Sequence, residues 1–362
     1  MTMPQFQRPT LAVQVGGLAP ATLGMGHGGA FYSFEAQAGR PAVVILLGRL
    51  ALADGLSLLT AFQRRAPDLA AREADVIALV DMQTPRAREY SETAVGGINT
   101  VFCEPDLFVR WGFGGYEPAV VVMDRAARVV AVIDAGAADA AELALAAVAA
   151  LPREVAQAVI LPAPVLHVPG IFSPAFCREL IDHFEASPHQ VGGMAAIDAQ
   201  GAAVHKIDAA KKHRNDFVLG PRDRYLSDVL NGLIRTVLPE MKKAFHIDAC
   251  HTDRFVIARY DDAGGYFRRH RDNAAPAVAF RQFALSVNLN SEEYEGGDLL
   301  FPEYNSHRYK PGTGAGVVFS CSLLHEAAPV TKGRRYVLLT FLHNAEAQTR
   351  WLASTAKQGA KG

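Results

Sequence analysis

From residue 250 onward the sequence changes to short apolar runs. "DRFVIARY", "GYFRRHRD", "RQFALSVNLN", "DLLFPEY", "GAGVVFSC" and "RRYVLLTFLH" follow one another, each bounded by Gly, Asp, Asn or Pro. That is the pattern of strands closed by turns. Strands that follow one another without a helix between them pair antiparallel and bury one face against a second layer. The stretch therefore predicts a two-sheet barrel or jelly roll. Two helical stretches precede it and would back it. One is "SPAFCRELIDHFEAS", with Ser173 as N-cap and Pro174 at the first helical position; the other runs through Leu226, Val229, Leu230, Leu233, Ile234 and Val237.

The first half alternates between strand and helix. "PAVVILLG" reads as a buried strand, "LSLLTAFQRRAPDLAARE" as a helix and "DVIALVD" as a second strand. "AVVVMDRAARVVAVID" reads as a hairpin turning at residues 124–127, and "DAAELALAAVAAL" as a closing helix. This order predicts a small α/β domain with a mixed sheet. Four prolines and a glycine in "LPREVAQAVILPAPVLHVPG" mark the passage to the second half. The expected division is a first domain over 1–152, a linker over 153–168, a second domain over 169–347 and a tail over 348–362.

A formal charge of −1 argues against a general nucleic-acid or membrane-surface binder. The amino terminus lacks a basic start followed by an apolar core, and the most apolar runs are too short to span a bilayer, so a cytoplasmic location is expected. Cys103, Cys177, Cys250 and Cys321 are far apart and form no Cys-x-x-Cys, which suits reduced, mostly buried thiols.

His-x-Asp occurs three times, at His246/Asp248, His251/Asp253 and His270/Asp272, where chance supplies about one. Only the surroundings separate them. His246 and Asp248 end a helical stretch, and His251 and Asp253 precede a strand. His270 and Asp272 lie within a strand run, where residues two apart share a face and can both reach into a barrel. A third donor from another strand is His325, directly after an apolar run. Two imidazoles and one carboxylate leave positions of an octahedral metal open, the arrangement in which iron(II) takes an organic co-substrate and O₂ together. Arg335 shares a strand face with Val337, Leu339 and Phe341. A guanidinium on an apolar interior face needs an anion, and a dicarboxylate supplies one.

"ARYDDAGGYFRRHRDN…FRQFALSVNLNSEEYEGGDLLFPEY…YKPGTGAGVVFSCSLLHEAAPVTKGRRYVLLTFL" resembles the prolyl 4-hydroxylase branch of the iron(II)- and 2-oxoglutarate-dependent oxygenases. The resemblance implies a double-stranded β-helix (jelly roll) with supporting helices. It implies that His270, Asp272 and His325 ligate iron, that Arg335 binds the distal carboxylate of 2-oxoglutarate, and that Tyr260 lines the co-substrate pocket. O₂ is the oxidant, ascorbate is admitted as a reductant, and a C–H bond of a prolyl or other amino-acid side chain is hydroxylated with release of succinate and CO₂. Asn288 stands where several relatives have a tyrosine that bonds the co-substrate, and an amide can donate a similar bond. Arg281, and Arg214 and Asn215 (with Lys212) in the Gly/Ala-rich segment 189–216, are candidates to face the substrate: a protein, a peptide or an amino acid. A homodimer is left open. The competing reading is a non-catalytic sensor of metal or 2-oxoglutarate.

The first half, through "GLAP…GRPAVVILLG…VIALVD…EPAVVVMDRAARVV", resembles the thioredoxin-like fold in its peroxiredoxin form. In that family Pro118 would be cis. Where that family places its reactive cysteine this chain has "GRLALADGLS", so the resemblance implies the fold without its redox chemistry.

Overall fold

The computed structural model describes residues 13–359 apart from 21, 27–30, 34–38, 49–50, 85–86, 93–95, 114–117, 154–157, 159–160, 198–202 and 263. It divides into two compact units, one of Pro9–Ala156 and the other including Gln157–Gly362.

In the first unit seven strands form one sheet: β1 (Leu23–Gly26), β2 (Phe31–Ser33), β3 (Ala42–Leu46), β4 (Asp75–Asp81), β5 (Asn99–Cys103), β6 (Ala119–Met123) and β7 (Val129–Asp134). Their order is β2-β1-β5-β4-β3-β6-β7. β3 and β4 are parallel, which requires a crossover, and the helix Leu52–Ala70 supplies it. β6 and β7 form the expected antiparallel hairpin, closed where the Asp124 carboxylate accepts from the Ala126 and Arg128 N–H groups. β3 and β6 are buried along their whole length because both faces are covered. Phe62, Leu59 and Ala144 of the helices Leu52–Ala70 and Ala140–Ala149 cover one face. Phe108 and Trp111 cover the other. The parallel pair, the antiparallel hairpin and the closing helix make this unit thioredoxin-like. Its single cysteine, Cys103, is buried, and burial above all pushes its thiol up to about 12. Such a thiol does not form the thiolate that redox chemistry uses. The peptide bond before Pro118 involves Glu117, outside the described residues.

The second unit is two facing sheets. The larger contains β8 (Val165–Val168), β9 (Gln190–Val191), β13 (Asn215–Val218), β14 (His251–Tyr260), β16 (Phe283–Asn288), β19 (Gly316–Ser320) and β22 (Arg335–His343). It is antiparallel throughout, in the order β8-β19-β16-β22-β14-β13-β9. The smaller contains β12 (Lys212–His213), β15 (Tyr266–His270), β18 (Leu299–Leu300) and β20 (His325–Ala327), in the order β12-β15-β20-β18. Two further pairs are β10 (Met194–Ile197) with β11 (Ala203–Lys206), and β17 (Tyr294–Gly296) with β21 (Val330–Gly333).

Strand alternation divides the labour of β14. Phe255 and Ile257 pack outward on helix residues Phe184, Leu233 and Met241. Val256, Ala258 and Tyr260 pack inward with Val337 of β22. The outer helices begin as the sequence implies: the Ser173 hydroxyl accepts from the Phe176 N–H at 3.2 Å, with Pro174 in the first turn. Among the described residues no helix is long and apolar enough to cross a membrane.

Two segments differ from the sequence reading. Residues 165–168, expected within the linker, form an edge strand on β19. The open edge of β19 offers unpaired N–H and C=O groups that a short neighbouring segment satisfies. Residues 348–359, expected as tail, belong to the helix Ala345–Gly359, capped where Asn344 Oδ1 accepts from the Ala347 N–H at 2.9 Å. The segment 189–216 contains β9, the β10–β11 hairpin and β12.

Gly297 ties the fold to the interior. Its φ is +65°, and a Cβ there would stand 2.9 Å from the Arg335 Cδ. Gly297→Ala is expected to lower the unfolding free energy by about 1–2 kcal/mol from the left-handed backbone alone. Urea denaturation of the purified protein checks this; an unchanged midpoint would contradict it.

Candidate metal centre

His270 ends β15 and His325 begins β20, and the two are direct partners across the antiparallel pair. Such pairing sets side chains on one face within contact of each other. Asp272 follows two residues after His270, where its backbone N–H donates to the Cys321 carbonyl at 2.9 Å. The three side chains converge. Asp272 Oδ1 is 3.3 Å from His270 Nε2, and Oδ2 is 3.4 Å from His325 Nε2. One ligand atom from each lies within 4.8 Å of the others, the spacing of a metal-binding group.

The hydrogen bonds on the far side of each ring fix its tautomer. His270 Nδ1 is 2.7 Å from the Arg268 carbonyl, and His325 Nδ1 is 3.0 Å from the Leu323 carbonyl. A carbonyl only accepts, so both Nδ1 atoms carry the proton and both Nε2 atoms turn a lone pair toward Asp272. Burial, first of all, lowers the pKa of His325 and favours its neutral form. The same burial would raise Asp272, but its carboxyl is held at about 2 by the charge that His325 and His270 carry when protonated and by Arg281; with both imidazoles neutral that local charge is missing. Two lone pairs therefore face a carboxylate with nothing positive between them. A divalent cation removes that repulsion, and two nitrogens with one oxygen suit iron(II).

The donors open into a cavity of about 200 Å³, lined in addition by Tyr260, Arg214, Arg281 and Arg335. Arg335 is 4% exposed and stands opposite Tyr260 in the β14–β22 register. Among the described residues no carboxylate pairs with it: Nη2 donates to Asn288 Oδ1 at 3.3 Å, and the enclosed Nε has no partner. Its charge is balanced only if an anion enters the cavity.

The remaining sequence candidates separate. Tyr260 reaches the cavity, and its hydroxyl accepts from Arg214 Nη1 at 2.8 Å. Arg214 pairs with Asp216 at 2.7 Å. Arg281 lies 3.7 Å over the Phe341 ring and donates from Nε to Asp253 at 2.8 Å. Asp253, of a triplet set aside as structural, thus anchors a cavity residue. Asn288, read as a co-substrate contact, does not line the cavity. Its amide donates to the Pro311 carbonyl at 2.8 Å and its oxygen serves Arg335. Asn215 also does not line the cavity; it sits in the larger sheet opposite Arg259 and Val191. Sequence reading missed Arg254, which lines the cavity from a β-bulge between Thr252 and Phe255. Alternation with the inward Val256, Ala258 and Tyr260 puts Arg254 on the inner face.

A family model described as the 2OG-Fe(II) oxygenase superfamily matches residues 255–343. A PKHD-type hydroxylase of Burkholderia ambifaria is 34% identical over 186 residues, which span 47% of this chain and 74% of that one. Among solved structures, the viral collagen prolyl hydroxylase of Paramecium bursaria Chlorella virus-1 is 20% identical, with a TM-score of 0.37, covering 51% of this chain and 98% of its own. Peroxiredoxin Q of Xanthomonas campestris is 14% identical, with a TM-score of 0.32, covering 35% of this chain and 89% of its own.

His325→Ala and Asp272→Ala are each expected to abolish manganese(II) binding measured by calorimetry, because each removes one donor of three. His251→Ala is expected to bind as the unaltered protein does. Metal lost with His251 and kept without His325 would show that the centre is elsewhere.

Proposed function

This chain belongs to the 2OG-Fe(II) oxygenase superfamily, and on that premise we propose that it hydroxylates a C–H bond of an amino-acid side chain, in a peptide, a protein or a free amino acid. The family's cofactors are iron(II) and 2-oxoglutarate. His270, Asp272 and His325 would hold the metal, and Arg335 would hold the distal carboxylate of 2-oxoglutarate. Iron(II) and 2-oxoglutarate together supply the oxidising chemistry, in which O₂ is consumed, 2-oxoglutarate becomes succinate and CO₂, and one oxygen atom enters the substrate.

The residues of the chain bind, orient and exclude water. The observation that carries the reading is the pairing, in one cavity, of a cation-deficient donor set with a guanidinium that lacks a carboxylate. Asn288 keeps Arg335 in place through Nη2, and the Tyr260 ring, 5.2 Å from the guanidinium carbon, covers it. The apolar wall of Leu339, Phe319 and Leu299 keeps the interior dry, which strengthens every charge interaction inside. Phe319 also packs edge-on against the His325 ring at 4.7 Å, which restrains its rotation.

The first unit would bind or position rather than react. It keeps a packed thioredoxin-like sheet, and the segment where the nucleophile belongs, "GRLALADGLS", holds no thiol.

Succinate formation by the purified protein with iron(II), 2-oxoglutarate and O₂ tests the reading, and metal binding without any turnover would leave a binding protein instead. Arg335→Gln is expected to weaken 2-oxoglutarate binding about a hundredfold, the loss of a charge-assisted contact in a buried site. Metal affinity should be unchanged. Cys103→Ser is expected to leave succinate formation as it was; a turnover that disappears with this thiol would contradict a redox-silent first unit.

A further inference from the structure

The cations around the cavity divide into those with counter-charges and those without. Lys212 and Arg214 share Asp216, Arg281 holds Asp253 and Arg271 holds Glu303. Lys211 is exposed to water. Two remain. Arg335 and Arg254 line the cavity, are buried or half-buried, and have no carboxylate partner among the described residues. The Nε of Arg254 is fully enclosed and has no hydrogen-bond acceptor. Arg335 is accounted for by 2-oxoglutarate; Arg254 is not.

Alternation from Val256, Ala258 and Tyr260 turns Arg254 inward, and a bulge turns Asp253 the same way. β14 carries one residue more than β22 between Thr252 and Phe255. At such a bulge successive residues turn to the same side. Asp253 and Arg254 accordingly both line a second cavity, and Arg254 lines the main one as well. Asp253, the adjacent carboxylate, is engaged by Arg281 through Nε at 2.8 Å. Burial first of all lowers the pKa of Arg254; the nearby Asp253 carboxylate opposes this without forming an ion pair, and the charge of Arg281 adds to the lowering.

The two guanidinia enter the cavity from different positions of its wall. Arg335 pairs with Tyr260, six residues along β14 from Arg254, which is about 20 Å of strand. The Arg254 end adjoins the donors, because Arg281 Nη1 lies 3.5 Å from the Asp272 carbonyl. An unpaired, desolvated guanidinium is unfavourable until an anion joins it.

We infer that Arg254, with Arg281 beside it, is a second anion position, which binds a carboxylate of the molecule to be hydroxylated. The substrate class is then a compound with a free carboxylate close to the reacting carbon. This deepens the oxygenase reading and rests on it.

The test uses the full chain loaded without O₂ with iron(II) and saturating 2-oxoglutarate, so that nothing turns over and Arg335 is occupied. Calorimetry then compares cyclopentanecarboxylate with its neutral amide. The unaltered protein is expected to bind the acid about tenfold more tightly or better. Arg254→Gln is expected to erase that preference, Arg254→Lys to keep part of it, and neither to alter 2-oxoglutarate affinity. Because the guanidinium has no partner, Arg254→Gln and Arg254→Met should melt at the same temperature as the unaltered protein or higher. No preference for the acid, a preference that survives Arg254→Gln, or a lower melting temperature in both variants would each overturn the inference. Failure of the unaltered protein to bind 2-oxoglutarate would overturn the oxygenase reading instead. Two more ligands separate the sources of the carboxylate: tighter binding of acetyl-prolyl-aspartyl amide assigns it to a peptide side chain, and tighter binding of L-proline to a free amino acid.

Discussion

Two imidazoles that each give their Nδ1 proton to a main-chain carbonyl have one orientation left for the other nitrogen. In this protein the carbonyls belong to Arg268 on β15 and Leu323 just before β20, each two residues before its histidine. The strand pairing that sets the two rings opposite each other therefore also sets their tautomers. Asp272 completes the group by leaving β15 at its end. Its N–H bond to Cys321, on the loop after β19, fixes where the carboxylate points. The smaller sheet exists in large part to hold this register, and its four short strands would be marginal without the larger sheet facing them.

The larger sheet supplies the walls. Its outer face is closed by helices through Phe184, Leu233 and Met241. The cost of burying cations on its inner face is met in two ways. Arg214, Lys212 and Arg281 carry their own carboxylates, Asp216 and Asp253, which makes that part of the wall fixed scaffold. Among the described residues Arg335 and Arg254 have none. In an interior of low dielectric, a cation that the protein does not neutralise is a binding position.

The first unit illustrates how fold and chemistry separate. Strands β3 and β6 are apolar from end to end because helices cover one face and Phe108 and Trp111 the other. Nothing in that packing needs a thiol. Loss of the nucleophile removes a reaction while leaving the core intact. The remaining cysteine, Cys103, is part of the core and is inert for the same reason that it packs well.

Local pattern was enough for much of this. Periods of two and the turn residues between them gave the six strand runs of the second unit. The apolar face and Ser173–Pro174 gave its first outer helix, and strand alternation put Arg335 with Phe341; His270 and Asp272 were joined by their spacing, although Asp272 lies beyond the end of β15. These features depend on residues near in sequence. What depends on distant residues was not legible. Which strand lies opposite which is decided by packing between sheets, so the His270–His325 register and the capture of Val165–Val168 by β19 appear only in the folded chain. Asn288 was read by its place in a motif; that one hydrogen of its amide goes to the Pro311 carbonyl, twenty-three residues away, appears only in the fold. Arg254 shows the limit most clearly: alternation turns it inward, but its significance lies in the lack of a carboxylate partner among the described residues. A sequence records which charges a chain carries, but only the tertiary structure decides which of them meet an opposite charge.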